Sequence, residues 1–269
     1  MAITYVGGQT GSFAGKTGET TVTMTSLTGG SDAAPAAGDL VIVAYAVGST
    51  ADRALTISAT SGGTAYTLLG AELYQNDLFD SNLRAAYRFM PSPTETTFVL
   101  SGTGSVQDAG AYVIHVFRGV DPVVIDVAVV TDGNINTRLA NPPSVTPVTA
   151  GAWVYAVGAG AGGTGGNYAS SDLTAFQRIT QADTNDAFLG AGYIVWGGSG
   201  AVNPAAFTGG GTDTTDDSWT ALSAALRPSA LARGRAFGQR GNAFNGGKTF
   251  LGIIDGLRLL PQRREALGC

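Results

Sequence analysis

The chain has 269 residues, 44% of them hydrophobic and only 13% charged, with 40 glycines and a formal net charge of −5. That length suits one large all-β domain or two small ones, and the apolar share is enough for a true core. The charged fraction is about half the usual share, and the lone cysteine, Cys269, excludes an internal disulfide or a cysteine zinc cluster.

Lysine and glutamate, two strong helix formers, are scarce, while threonine, valine and glycine dominate. β-Branched side chains suit a pleated sheet and glycine suits its turns, so the composition predicts an all-β chain. The opening MAITYVGGQTGS has no charged-then-apolar leader and runs straight into a strand-like segment. No stretch approaches the ~20 uninterrupted apolar residues of a membrane span, so the chain reads as soluble, with no membrane partner.

Strand-length apolar runs then recur between turn-forming stretches. They fall at 20–26, 39–47, 54–58, 65–70, 83–90, 96–101, 111–117, 123–130, 152–158, 172–179, 187–196, 205–209 and 218–226. Some alternate with period two, and others are apolar on both faces. SGG, GGTGGN and GGGTDTTDD supply turn chemistry between them, and prolines flank the runs rather than splitting them. Many short strands at this spacing predict an antiparallel, jelly-roll-like β-sandwich over 1–226.

A faint internal repeat runs through it. AAGDLVIVAYAVG (36–48) matches TAGAWVYAVGAG (149–160), QNDLFDSNLRAAYRFM (75–90) matches QADTNDAFLGAGYIVW (181–196), and DAGAYVIHVFRG (108–119) matches DDSWTALSAALR (216–227). Three matched segments in one order point to a duplicated half, either as two sheets of one sandwich or as two stacked modules. The absence of a polar linker between the halves favours one large sandwich.

After residue 226 the pattern changes. Residues 1–226 carry a net charge of −11, whereas 227–269 carry +6. An acidic body speaks against nucleic acid as a partner, and a basic tail implies a second surface with a different partner. The stretch 230–249 is rich in glycine and arginine, including Arg233, Arg235 and Arg240, and reads as an extended arm. Beyond it, Phe250, Ile253, Ile254 and Leu257 follow helical spacing, and Leu251, Leu259 and Leu260 add to the apolar set before Arg263 and Arg264. Gly252 and Gly256 would cost such a helix about 1 kcal/mol each. The segment therefore needs a partner to bury it, and 227–269 is expected to be an arm that docks onto another subunit or back onto its own body.

Catalytic signals are thin. GGKT ends like a phosphate loop, but the required earlier glycine position is Asn242 and no buried strand precedes it. His115, the only histidine, lies inside AYVIHVF without a nucleophile-elbow motif and reads as a packed, hydrogen-bonded core residue. Asp77 and Asp80, their apparent repeats Asp183 and Asp186, and Asp213, Asp216 and Asp217 lie in turns. Their spacing matches no calcium loop, though calcium remains open. Tyr66, Tyr74, Tyr168, Trp196 and Trp219 read as core or edge packing, with sugar stacking as the competing reading. No catalytic, cofactor or metal residue is assigned, and no enzyme activity is expected.

AAGDLVIVAYAVG, LRAAYRFM, FRGVDPVVIDV and PPSVTPVTAGAWVYAVG together resemble β-rich structural proteins of tailed bacteriophages and gene-transfer agents, of tail, fibre or head-decoration type. The resemblance covers roughly residues 36–226. It implies a jelly-roll-like body assembled into a virion, made in the bacterial host cytoplasm, with capsid or tail subunits and copies of itself as partners. The arm lies outside the resemblance. A glycan-binding adhesin that recognises a host surface polysaccharide is the alternative.

Overall fold

The computed structural model describes residues 1–15, 17–135, 137, 139–162, 166–210 and 217–230. All regular structure among them is strand. The first half supplies β1 (Thr4–Phe13), β2 (Gly18–Thr23), β3 (Leu40–Ser49), β4 (Thr56–Ser58), β5 (Thr67–Leu68), β6 (Leu73–Gln75), β7 (Asp80–Phe89), β8 (Thr97–Thr103) and β9 (Ala109–Arg118). The second half supplies β10 (Val120–Ile125), β11 (Val130–Ile135), β12 (Trp153–Gly162), β13 (Tyr168–Ala169), β14 (Thr174–Gln181), β15 (Asp186–Val195), β16 (Thr208–Gly209) and β17 (Ser218–Pro228).

The strands of the first half pass back and forth between two antiparallel sheets, one ordered β1-β9-β3-β7-β5 with β6 also on β7, the other β2-β8-β4; only β5, β6 and β7 follow one another in the same sheet. Such winding is that of a jelly roll. The central strand β3 reads LVIVAYAVGS and is buried along its whole length. Val41, Val43, Tyr45 and Val47 face the small sheet, where they meet Val22, Leu55, Ile57, Phe98 and Leu100. The alternate residues Leu40, Ile42, Ala44 and Ala46 face the other way. This accounts for the two-sided apolar pattern: β3 has a sheet against each face.

The second half repeats the plan. Its main sheet is ordered β10-β17-β12-β15-β14, with β11 also on β17, and β13-β16 form the remnant of a cover sheet. Ala156, Phe188, Trp219 and Ala221 pack outward beneath Tyr168, Phe207 and Ala140. The inner face, with Tyr155, Val157, Leu189, Ala191, Leu222 and Leu226, packs on the inner face of the first main sheet. The two main sheets thus form one sandwich, each contributed by one half, and each half has jelly-roll-like winding, the second with only β13 and β16 as its cover sheet.

The registers make the duplication explicit. Leu40 pairs with Phe89 and Phe117, and Trp153 pairs with Val195 and Leu226. Equivalent positions therefore differ by 113, 106 and 109 along the three matched segments. The first two spacings are those read from sequence. The third differs by one residue, because the equivalent of Asp108 is Asp217 rather than Asp216. In a strand that slip matters, since it would exchange the two faces. The turn hydrogen bonds repeat as well: Asp39 N–H to Ala36 O and Met90 N–H to Asp39 O recur as Ala152 N–H to Thr149 O and Trp196 N–H to Ala152 O.

Most expected strands are present, with shifted ends. The run 123–130 is not one strand: it divides into the end of β10 and the start of β11. Between them Asp126 donates its N–H to Ala225 O of β17 (2.9 Å) while its carboxylate accepts the N–H groups of Val148 (2.7 Å) and Thr149 (2.9 Å). Missing from the sequence reading are β6 and β13, each two or three residues long. At the other end of the body, β17 continues two residues beyond 226.

Candidate functional site

The seam between the jelly rolls has an approximate two-fold axis along the strands. Two short parallel bridges mark it, Phe79 with Asp217 and Asp108 with Asn185. By the spacings above they are equivalents of one another. All four residues lie at the starts of β7, β9, β15 and β17, so the loop ends of both halves point the same way. At this end the seam is narrow and lined by Ala44, Ala46, Ala109, Ala111, Ala159 and Ala187.

The loop end is rich in buried carboxylates, and the described ones tie turns together. Asp80 accepts the N–H of Asp77 at 2.7 Å, and its repeat Asp186 accepts that of Asp183 at 2.7 Å. Asp108, fully buried, accepts N–H groups from Gly104 (2.8 Å) and Ser105 (3.0 Å) and pairs with Arg53 at 2.9 Å. Ser81 N–H donates across the seam to Ser218 Oγ at 2.8 Å. Among the described residues no cluster of three or more His, Cys, Asp or Glu side chains converges to hold a metal ion; Asp213 and Asp216 lie outside them.

Also at the loop end, Asp52, Ala54, Glu72 and Tyr74 line a cleft of about 350 Å³. Its Glu72 carboxylate accepts the Leu55 N–H and pairs with Arg84 at 3.3 Å. Tyr74 O–H donates to Asp80 at 3.1 Å. The cleft thus offers the Asp52 and Glu72 carboxylates beside the phenol ring of Tyr74.

At the opposite end the seam widens and fills with rings. Tyr5, His115, Phe117, Trp153, Tyr155 and Tyr193 pack together, with Trp153 and Tyr193 stacked at 4.2 Å. His115 is the polar centre of this cluster. Its Nε2 lies 3.0 Å from the Ala175 carbonyl, which can only accept, so Nε2 carries the proton. Nδ1 is then the acceptor for Tyr155 O–H at 3.2 Å. Burial holds its pKa down to about 4. The expectation of a packed, hydrogen-bonded histidine is met, and both its partners belong to the second half.

The same end carries the root of the C-terminal segment. Ser229 N–H donates to Gly119 O at 2.7 Å, Ser229 Oγ donates to Val120 O at 3.3 Å, and the amino group of Met1 donates to Ser229 O. Two equivalent arginines brace this end. Arg118 forks onto Asp39 at 2.8 and 2.9 Å, and Arg227 reaches Asp126 at 3.4 Å. Burial works to raise the pKa of Asp126, but hydrogen bonds from Thr149, Val148 and Arg227 outweigh it and hold it below the usual carboxylate range.

The residues expected to dock the arm, Arg233, Arg235, Arg240, Phe250, Leu251, Ile253, Ile254, Leu257, Leu259, Leu260, Arg263 and Arg264, lie outside the described residues, as does GGKT. Of the aromatic candidates, Tyr168, Tyr66 and Trp219 are buried and present no face to a ligand. Trp196 is half-buried, its indole N–H donating to Gly200 O at 3.0 Å, and Tyr74 lines the cleft.

The fold therefore defines a tandem of two jelly rolls, packed through their main sheets, with a loop end and a terminal end. No protein-family model, no curated protein and no solved structure matches the chain.

Proposed function

We propose that the chain is a non-enzymatic structural protein of a bacteriophage-like virion, a head-decoration or spike protein or a tail or baseplate component, fastened to its neighbours by the segment after residue 230. The observation that carries this reading is the polarity of the body. The start of the C-terminal segment is pinned by Ser229 at one end, and the loops project from the other, about ten strand residues or ~33 Å away. Such a body can be held at its base while its loops face outward. The excess of basic and apolar side chains in 227–269 supplies the means of attachment. The one histidine is already committed to packing.

The test is a chain ending at Ser229, compared with the full chain for incorporation into particles purified from the producing bacterium. The shortened chain is expected to fold, with an unchanged β-sheet spectrum, and to be absent from the particles. Normal incorporation would overturn the reading.

The cleft beside Tyr74 favours a second reading, a glycan-binding module for a host surface polysaccharide, because two carboxylates beside the phenol ring of Tyr74 suit sugar hydroxyls. A glycan array would find a ligand whose binding falls at least tenfold in Tyr74→Ala. No ligand among bacterial polysaccharides would remove it.

A further inference from the structure

The pseudo-symmetry of the seam makes His115 conspicuous. Within the first sheet it pairs with Ile42, and within the second sheet Tyr155 pairs with Ala224. By the register spacings, Ala224 is the equivalent of His115 and Ile42 the equivalent of Tyr155. On one side of the axis the seam thus closes with an alanine and an isoleucine, both fully buried. On the other side the same two positions hold an imidazole and a phenol that bond to each other. The fold closes this site without polar groups, so the polar pair is an addition to the packing.

The clasp is also fastened at a second point. Ala175, whose carbonyl accepts from His115, is the one described non-glycine residue with positive φ (48°), at the bulge where β14 changes register on β15. A backbone position that disfavours an L-residue is held where its carbonyl meets the imidazole.

Among the described residues, the surroundings carry no countercharge. β1 presents Tyr5, β9 presents Phe117, β12 presents Tyr155, and β14 presents the Ala175 carbonyl. Across the cluster, β15 adds Tyr193. The titratable groups among these are phenols, which are neutral throughout the acid range. An imidazolium here would sit in a dry, uncompensated site, with its Nδ1 turned from acceptor to donor.

We propose that His115 is an acid-sensitive latch on the seam between the two jelly rolls: neutral, it clasps Tyr155 and Ala175 of the second half, and protonation loosens that join. The folded-state pKa of His115 is depressed, so its contribution is complete above pH 6.5 and is lost as pH falls through 6.5 towards 4. Between those limits the opening equilibrium of the seam rises by up to about 300-fold, the ratio implied by the lowered pKa.

The test uses the full chain and His115→Gln. Glutamine can donate to Ala175 O and accept from Tyr155 O–H, and it has no charge at any pH. Hydrogen exchange of the β9, β12, β14 and β15 amides is followed from neutral pH to pH 4, after correction for intrinsic exchange. Seam exchange in the wild type is expected to rise steeply over this range relative to His115→Gln. Parallel profiles for the two proteins would overturn the latch. Should His115→Gln fail to fold, the wild type alone decides by NMR, because one histidine gives one imidazole resonance. A resonance that stays neutral until the seam opens supports the latch, and titration near 6.5 in the closed protein contradicts it.

Discussion

Gly48 of β3 lies so close to Asp186 of β15 that a Cβ at position 48 would stand 2.1 Å from the Asp186 carbonyl oxygen. The contact is backbone against backbone across the seam, so no side chain can swing aside. Glycine is required here for space, which is why the sheets meet at the loop end. We expect Gly48→Ala to lower unfolding free energy by about 2–3 kcal/mol or more, measured by urea denaturation. Gly197→Ala, with open space around its Cβ, should change it by less than about 0.5 kcal/mol. Equal effects at the two sites would contradict the close approach.

The repeated loop ties give a symmetric expectation. Asp80→Ala and Asp186→Ala each remove an acceptor from a backbone N–H at 2.7 Å in an equivalent loop. Each should cost about 1.5–3 kcal/mol, the usual range for a charge-assisted bond. Thermal melts should show similar losses. A strong effect in one half and none in the other would mean that the shared geometry is not shared energetics.

The end of the body can be located by truncation. A chain ending at Leu226 loses the Arg227–Asp126 pair, the pairing of Pro228 with Val120, and the Ser229 bonds. Asp126 would then keep its burial with fewer donors. We expect this chain to melt several degrees below one ending at Ser229, in line with a loss of about 1–3 kcal/mol. Identical melting temperatures would place the structural boundary at or before residue 226.

Alkaline titration probes the buried rings. Burial pushes the Tyr5 phenol up to about 12, and raises Tyr45, Tyr66 and Tyr155 further. A folded-state pKa above the unfolded value gives stability that is present below about pH 10 and lost as pH rises through about 12. Near-ultraviolet absorbance should therefore show that these four of the nine tyrosines ionise only as the protein unfolds. Reversible ionisation of all nine near pH 10 would contradict their burial.

The sequence showed strand content readily because β-branched runs separated by glycine turns have few other structures to form. Its two-sided apolar runs, such as LVIVAYAV, carried the sandwich, and the repeat carried the duplication. The strand β1 was harder to delimit. TYVGGQTGSF has little apolar content, and its glycines serve close contacts: a Cβ on Gly8 would meet the Tyr5 hydroxyl, and one on Gly11 the Tyr112 ring. The one-residue slip in the third repeat was invisible for a related reason. DAGAYV resembles the segment starting at Asp216 as much as the one starting at Asp217, and only hydrogen-bond register distinguishes them. The seam partners of His115 were not legible at all, since Tyr155 is 40 and Ala175 60 residues away.

The central functional claim concerns how the body is held, and electron microscopy of the assembled particle tests it most directly. The map should place the Ser229 end against neighbouring subunits, with residues 231–269 buried between them and the Asp80 and Asp186 loops facing outward. A particle without the chain, or one in which the loop end makes the attachment and residues 231–269 touch no neighbour, would contradict it.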